Sequence, residues 1–333
     1  MSRSRVSPGL AGIAGGWLLL IILAAWATPT TVPIPDLARA GYPPFQAPHW
    51  LGTDPQGLDV GWSLLQGSRT VVLISVPAAL LTLLLGTGLG SAAGFWGNRL
   101  ALTRARAVAG AGLLTSGLLF WAQLAAFPIL GALFLLLAGS LEALLRRTRW
   151  GRQPHFLPLD AALSACSALL DSIPLLLLVV AVASVQRPSV SGIVSLLALT
   201  CWTTPARLMR AATLQVAVQP YLEAARMTGL TDLQLLRRHI WPNTWQVAAV
   251  RFPMTVAALI SLETTLAFLG IGLAPETPSW GRILSAVRQA PTAWWLVVWP
   301  GLALIVTLLS LHVLSRWLQD RMDVTNTSNN LLT

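Results

Sequence analysis

Long stretches without charge constrain this chain more than any other feature. Gly9–Ala27, Thr70–Phe95, Ala107–Leu141, Val190–Thr204 and Trp294–Leu314 contain no Asp, Glu, Lys or Arg. About 20 apolar residues cross the hydrocarbon core of a bilayer as a helix. Runs this long and continuous do not fit the short alternating segments of a membrane barrel. A soluble enzyme, a disordered tail and a disulfide-knit secreted domain are excluded by the same runs. Only 10% of the 333 residues are charged, against 55% hydrophobic. The fold class expected is an all-α polytopic membrane protein.

The charges that remain give the topology. Basic residues outnumber acidic ones 22 to 12, every basic residue is Arg, and the net charge is +10. Without Lys there is no P-loop and no Schiff-base chemistry. Arg-rich loops mark the cytoplasmic side, which accounts for the basic excess without nucleic acid. Arg3 and Arg5 precede the first run, so its start is expected inside, as an uncleaved helix. The competing reading is a signal peptide cut after Ala25-Trp26-Ala27. The Pro-rich stretch Pro29–Pro55 is then external, and Arg99, Arg104 and Arg106 return the chain to the inside. Ala107–Leu141 is flanked by Arg on both sides, so it is expected to cross an even number of times, as a hairpin bending near Gln123–Pro128, with a re-entrant or interfacial pair as the alternative. Further spans are expected at Leu159–Val185, kinked by Pro174, at Val190–Thr204, at Val247–Leu273 and at Trp294–Leu314. Six spans plus the hairpin make roughly eight crossings, with both termini cytoplasmic. Trp residues gather near run ends as interfacial anchors. Cys166 and Cys201 sit in apolar runs as small packing residues, with a bond between them left open.

The most informative segment is the polar loop Pro220–Asn243. Pro220 suits the first position of a helix and Gly229 its left-handed stop. Thr231 and Gln234 form the capping box of a second helix. Arg237 and Arg238 lie near its C-terminus, where cations are favoured, and Pro242 is expected to break it. Two short helices with a sharp turn result, with Leu230, Leu233, Leu236 and Ile240 offered to something outside the bilayer.

Glu223-Ala224-Ala225-x-x-x-Gly229, followed by His239-Ile240-x-Pro242-Asn243, resembles the EAA loop of ABC-importer permeases. The chain more narrowly resembles the dipeptide/oligopeptide/nickel permease family. Leu51-Gly52-Thr53-Asp54-x-x-Gly57-x-Asp59-Val60 is similar to that family's external motif, with Leu58 where Arg is usual. Leu262-Glu263-x-x-Leu266-x-Phe268-Leu269-Gly270-Ile271-Gly272, the stretch Pro275–Gly281, and Pro300-Gly301 also look like family sequence. Matching segments cover 50–100 and 160–323, and the insertion 107–155 is not part of the pattern.

The resemblance implies the transmembrane domain of a type I ABC importer, six core helices plus an inserted hairpin. It divides the chain into a first helix (1–28), an external segment (29–69), a permease domain (70–323) and a cytoplasmic tail (324–333). The permease domain holds the 107–145 hairpin, the 219–243 coupling loop and the 274–292 external loop. It implies a bacterial inner-membrane location. The partners are a second related permease, two cytoplasmic ATPases, an extracytoplasmic binding protein and membrane lipid. ATP and Mg would sit on the ATPases, with none bound here. Glu223, Ala224, Ala225, Arg226, Gly229, Asp232, Arg237, Arg238, His239 and Pro242 would form the coupling site. Ala224 and Ala225 would allow close approach, and the three Arg would pair with ATPase acids or simply mark the inside face.

Two intramembrane carboxylates, Glu263 and Asp171, are candidates to line the translocation path, since such groups are costly and face a pore or a partner. A structural hydrogen bond is the alternative for Glu263. Asp54, Asp59, Thr277, Ser279 and Trp280 are expected to face the binding protein, with Arg69 on the same surface. Ser279 is expected to cap a short helix ended by Pro291. No His/Cys/carboxylate cluster has metal-ligand spacing, and no catalytic pair is visible, so the chain is expected to be a non-catalytic permease. The cargo would be peptides, peptide-like molecules or nickel chelates. ABC-linked export or antimicrobial-peptide resistance is the alternative reading. A gradient-driven transporter is a further one, although it would need more intramembrane ionisable groups or inverted repeats.

Overall fold

The computed structural model describes residues 6–28, 34–103, 136–140, 143–145, 148, 154–185, 189–271, 274 and 277–330. The hairpin expected over 107–145 lies almost wholly outside them. The described chain is mostly helical, with one strand pair and an irregular folded stretch over 34–59. The helices are α1 (Pro8–Ala27), α2 (Val60–Trp96), α3 (Leu159–Ser172), α4 (Leu175–Val185), α5 (Val190–Cys201), α6 (Thr203–Ala217), α7 (Pro220–Met227), α8 (Asp232–Leu235), α9 (Trp241–Leu269), α10 (Trp280–Ser285) and α11 (Trp295–Asn330). Four helices are long and apolar enough to cross a bilayer, and six spans result if the broken pairs α3–α4 and α5–α6 each count once. Six is the number expected outside the insertion.

Several boundaries differ from the sequence reading. α2 begins at Val60, ten residues before the expected Thr70, because Asp59 caps it by accepting from Trp62 N at 2.9 Å. The Leu159–Val185 run breaks at Ile173–Pro174, where the proline was expected to bend it. Past Cys201 the chain does not leave the helix at Thr204 but resumes as α6 through Ala217. The α10 helix stops at Ser285, followed by a 3₁₀ turn Ala286–Arg288, well short of Pro291. One strand pair was not foreseen: β1 (Leu100–Thr103) runs antiparallel to β2 (Pro154–Leu157). It brings both ends of the insertion together, so the extra segment leaves and re-enters at one place.

The chain forms two compact units. The first comprises residues 1–85, 175–205 and 245–333, the second 86–174 and 206–244. In the first unit α1 packs along α11, with Trp17 Nε1 donating to Thr307 Oγ1 at 3.0 Å. On the side of α1 turned away from α11, Leu19 and Leu23 are exposed, as a lipid-facing helix requires. Ser315 Oγ ties α11 to the Val250 carbonyl of α9 at 2.8 Å. In the second unit the C-terminal part of α2 lies against α6 with Gly90 at the crossing. A Cβ there would stand 2.2 Å from the Ala206 carbonyl oxygen, so only glycine allows this approach. Arg210 of α6 grips the Asp160 carboxylate with both Nε and Nη2 and so orients α3.

Candidate functional site

The loop between α6 and α9 belongs to the second unit and is built as two docked helices. Pro220 occupies the first turn of α7, where its missing N–H costs nothing. Glu223 lies in that first turn, favoured by the helix dipole. α7 closes with Thr228 N donating to Ala224 O, and Gly229 follows at φ +83°, a conformation costly for any residue with a side chain. Thr231 and Gln234 then cap each other reciprocally at the start of α8.

Pro242 does not break the second helix. The chain runs helical from Asp232 to Leu269, 38 residues. Residues Leu236–Ile240 form one π turn, with Trp241 N donating to Leu236 O five residues back. The proline then follows the widened turn, and Asn243 Nδ2 donates to the His239 carbonyl at 2.6 Å. The same amide also donates to Tyr221 Oη at 3.2 Å, tying the start of α7 to the start of α9.

The expected outward flank is largely turned inward. Leu222, Leu235, Leu236 and Ile240 form a buried cluster, with Phe95, Trp96, Val216, Ala225 and Leu230 packed on it. Ala225 therefore faces the core, and of the alanine pair only Ala224 offers a smooth outer surface. Phe95 and Trp96, at the end of α2, clamp the loop: Trp96 Nε1 donates to Asp232 Oδ2 at 3.2 Å, and the Arg226 guanidinium sits 5.5 Å over the Phe95 ring. Among the residues left outside are Glu223, Ala224, Met227, Leu233, Arg237 and Arg238, beside the exposed Arg226, Gly229, Asp232 and Pro242. Met227 is 89% exposed and Leu233 56%, two apolar side chains on a charged surface. Met227 was missed because a lone methionine carries no spacing signal. Arg237 and Arg238 have no ion pair among the described residues. His239 is half-buried beside Tyr221, ring centroids 6.1 Å apart.

The two carboxylates expected to line a path behave differently. Glu263, in the first unit, is 1% exposed, and neither oxygen has a hydrogen-bond partner among the described residues. Asp171, in the second unit, is exposed and paired with Arg207 of α6. Arg251 escaped the sequence reading. It sits half-buried in α9, inside an apolar run, with no ion pair among the described residues. The signal was present: a charge within an expected span is itself a functional pointer.

Residues 34–59 of the first unit are folded. His49 lies between two acids, Nδ1 2.7 Å from Asp59 and Nε2 3.5 Å from Asp36. Trp295 Nε1 donates to the Thr53 carbonyl at 3.0 Å. Asp54 Oδ1 accepts from Gln56 N (2.9 Å) and Leu58 N (2.8 Å), so backbone amides hold the aspartate in its turn. Burial pushes the Asp54 carboxyl above its ordinary value, while those amides and the Arg282 charge pull it down. Of the residues expected to face a binding protein, Ser279 caps α10, accepting from Arg282 N, yet it and Trp280 are buried at 1% and 2% exposure. Trp280 Nε1 donates to Leu64 O at 2.9 Å, so the indole anchors α10 on α2 rather than meeting a partner. Arg69 likewise turns to the end of α1, donating to Thr28 O. Asp54, Asp59 and Thr277 remain half-exposed.

Residues 153–324 match the family described as "Binding-protein-dependent transport system inner membrane component". A putative peptide transport system permease protein of Brucella suis biovar 1 (strain 1330) is 28% identical over 312 residues, covering 92% of this chain and 84% of that protein. The dipeptide transport system permease protein DppC of Bacillus subtilis (strain 168) is 25% identical over 328 residues, covering 96% and 83%. The glutathione transport system permease protein GsiD of Escherichia coli O1:K1 / APEC is 34% identical over 155 residues, covering 46% and 51%.

Proposed function

The chain belongs to the family of binding-protein-dependent transport system inner membrane components, and from that membership we propose that it is the permease subunit of an ATP-driven importer of short peptides. The peptide cargo rests on the relatives that carry peptide, dipeptide and glutathione transport in their names. The importer pairs this chain with a second related permease, two cytoplasmic ATPases bearing ATP and Mg, and an external binding protein. Both termini are cytoplasmic on this reading, as the Arg-rich loops require.

The observation that carries the proposal is the construction of the Pro220–Asn243 loop. A connector of this length needs no buried core, capping box and aromatic clamp. This one spends Leu222, Leu235, Leu236 and Ile240 on holding a fixed shape. The fixed shape leaves Glu223, Ala224, Met227, Leu233, Arg237 and Arg238 free for a partner. Met227 and Leu233 supply apolar area for a cleft on the ATPase, and the arginines supply charge to pair with its acids. Arg226, Gly229, Asp232, His239 and Pro242 hold the shape rather than make the contact. Arg251, half-buried on α9, is the charge there that cargo would meet, while Glu263 is closed off from solvent in this conformation.

The test is affinity purification of the tagged complex from its native membrane, comparing native protein with Gly229→Pro and Glu223→Arg. Native protein is expected to bring down ATPase subunits, and both variants to lose them or to lose cargo-stimulated hydrolysis. If no ATPase accompanies the native chain, the permease assignment fails. If both variants match native protein, the loop is not the coupling element.

A further inference from the structure

Within the first unit a cleft of about 660 Å³ opens between the Asp54–Leu58 turn and the α10 region. That volume lies within the range of small-molecule sites. Asp54, Gln56, Arg282 and Gln289 give it a polar side, and Ile271 and Ile283 an apolar one. Gln56 Nε2 donates to Gln289 Oε1 at 3.2 Å and closes one rim.

Arg282 is the unusual member. Its backbone is fixed by the Ser279 cap, and its side chain is half-buried in the cleft wall. Among the described residues it makes no ion pair and no side-chain hydrogen bond. Asp54 exerts a charge on it but is not within ion-pair distance, and Asp54 Oδ1 is already held by two backbone amides. A half-buried guanidinium without a bonded counter-charge is a site that favours a planar anion, and its fork matches a carboxylate with two parallel hydrogen bonds. The side-chain amides of Gln56 and Gln289 are of the kind that pair with peptide groups.

We propose that this cleft is a subsite for the terminal carboxylate of a short peptide, with Arg282 as the residue that selects it. The inference rests on the peptide-permease reading, on which this side of the first unit is external. It adds a cargo contact made by the permease itself. Among the described residues Asp54 is the acid whose charge acts on Arg282, and it stands beyond ion-pair distance with one oxygen held by backbone amides.

The experiment uses the assembled transporter in lipid nanodiscs, without binding protein, titrated with trialanine and with trialanine amide. The native complex is expected to prefer the free acid by about tenfold, the scale of one charge-assisted hydrogen-bonded contact. Arg282→Gln should erase the preference by weakening the acid alone, and Arg282→Lys should keep part of it. Asp54→Asn, which preserves the turn acceptor, should tighten trialanine. Equal affinity for acid and amide in the native complex, no binding of either, or an unaltered preference in Arg282→Gln would each overturn the proposal. So would an Arg282→Gln complex that docks the binding protein less well while holding trialanine as before, since Arg282 then serves the protein partner. Absence of ATPase from the purified native complex is a separate failure, visible before titration, and it strikes the permease reading instead.

Discussion

Leu222 is the side chain on which the position of α7 turns. The helix is eight residues long, too short to persist alone in water. Leu222 is its one fully buried residue, 3% exposed, packed with Leu235, Leu236 and Ile240. Leu222→Ala removes that anchor without harming helix propensity. The expected cost is about 2–5 kcal/mol, transfer plus cavity. The low end corresponds to about a 30-fold larger open population of the segment. Amide exchange across 220–227 should accelerate by at least about that factor, while exchange in α11 stays as it was. ATPase association should weaken in parallel, because Glu223, Ala224 and Met227 lose their fixed orientation. Leu233→Ala is the companion variant. Leu233 is 56% exposed, so exchange should hardly move, yet ATPase association should still fall if its apolar surface is used. Leu222→Ala with native protection of 220–227 would refute the claim that this cluster positions the loop. Leu222→Ala with native ATPase association despite lost protection would refute the need for a preformed shape.

Two further outcomes follow from other parts of the molecule. Gly90→Ala would drive a methyl into the Ala206 backbone, which cannot yield as a side chain can, and a thermal-shift assay should show a loss of about 1–3 kcal/mol; Gly88→Ala, with nothing within 4 Å, should be neutral or slightly stabilising. Asp54 holds its proton to higher pH in the native state than in the unfolded chain, so its contribution to stability is present below the ordinary carboxylate value and is lost as pH rises through the raised one. Asp54→Asn should therefore gain on native protein across that acid window and track it at constant offset on either side, and a flat difference from pH 3 to pH 8 would contradict the burial effect.

What the sequence disclosed was mostly local. The first turn at Pro220, the left-handed stop at Gly229, the Thr231–Gln234 box and the Ser279 cap depend on a few adjacent residues, and each is found where the spacing places it. What it concealed depended on distant partners. Leu236 and Ile240 look like an outward flank because Phe95 and Trp96, which help cover the cluster they join, lie more than a hundred positions earlier. Trp280 looks like a surface aromatic until the Leu64 carbonyl is seen to accept its N–H. Pro242 looks like a helix stop because no spacing rule foretells a π turn just ahead of it. Arg251 was legible and was overlooked, since its neighbours are so uniformly apolar that the run reads as one span.

That π turn also sets which way the residues before it point. Five residues there advance the backbone by what is otherwise a four-residue repeat. Everything on its N-terminal side is thus offset by one position, about 100° of rotation. Deleting one residue between Leu236 and Ile240 would make the helix regular and swing Asp232 and Leu233 a quarter-turn or more around its axis. Trp96 would lose its acceptor, and a different stripe of side chains would meet whatever docks below. In this stretch chain length is itself a recognition element, as exacting as the identity of any side chain.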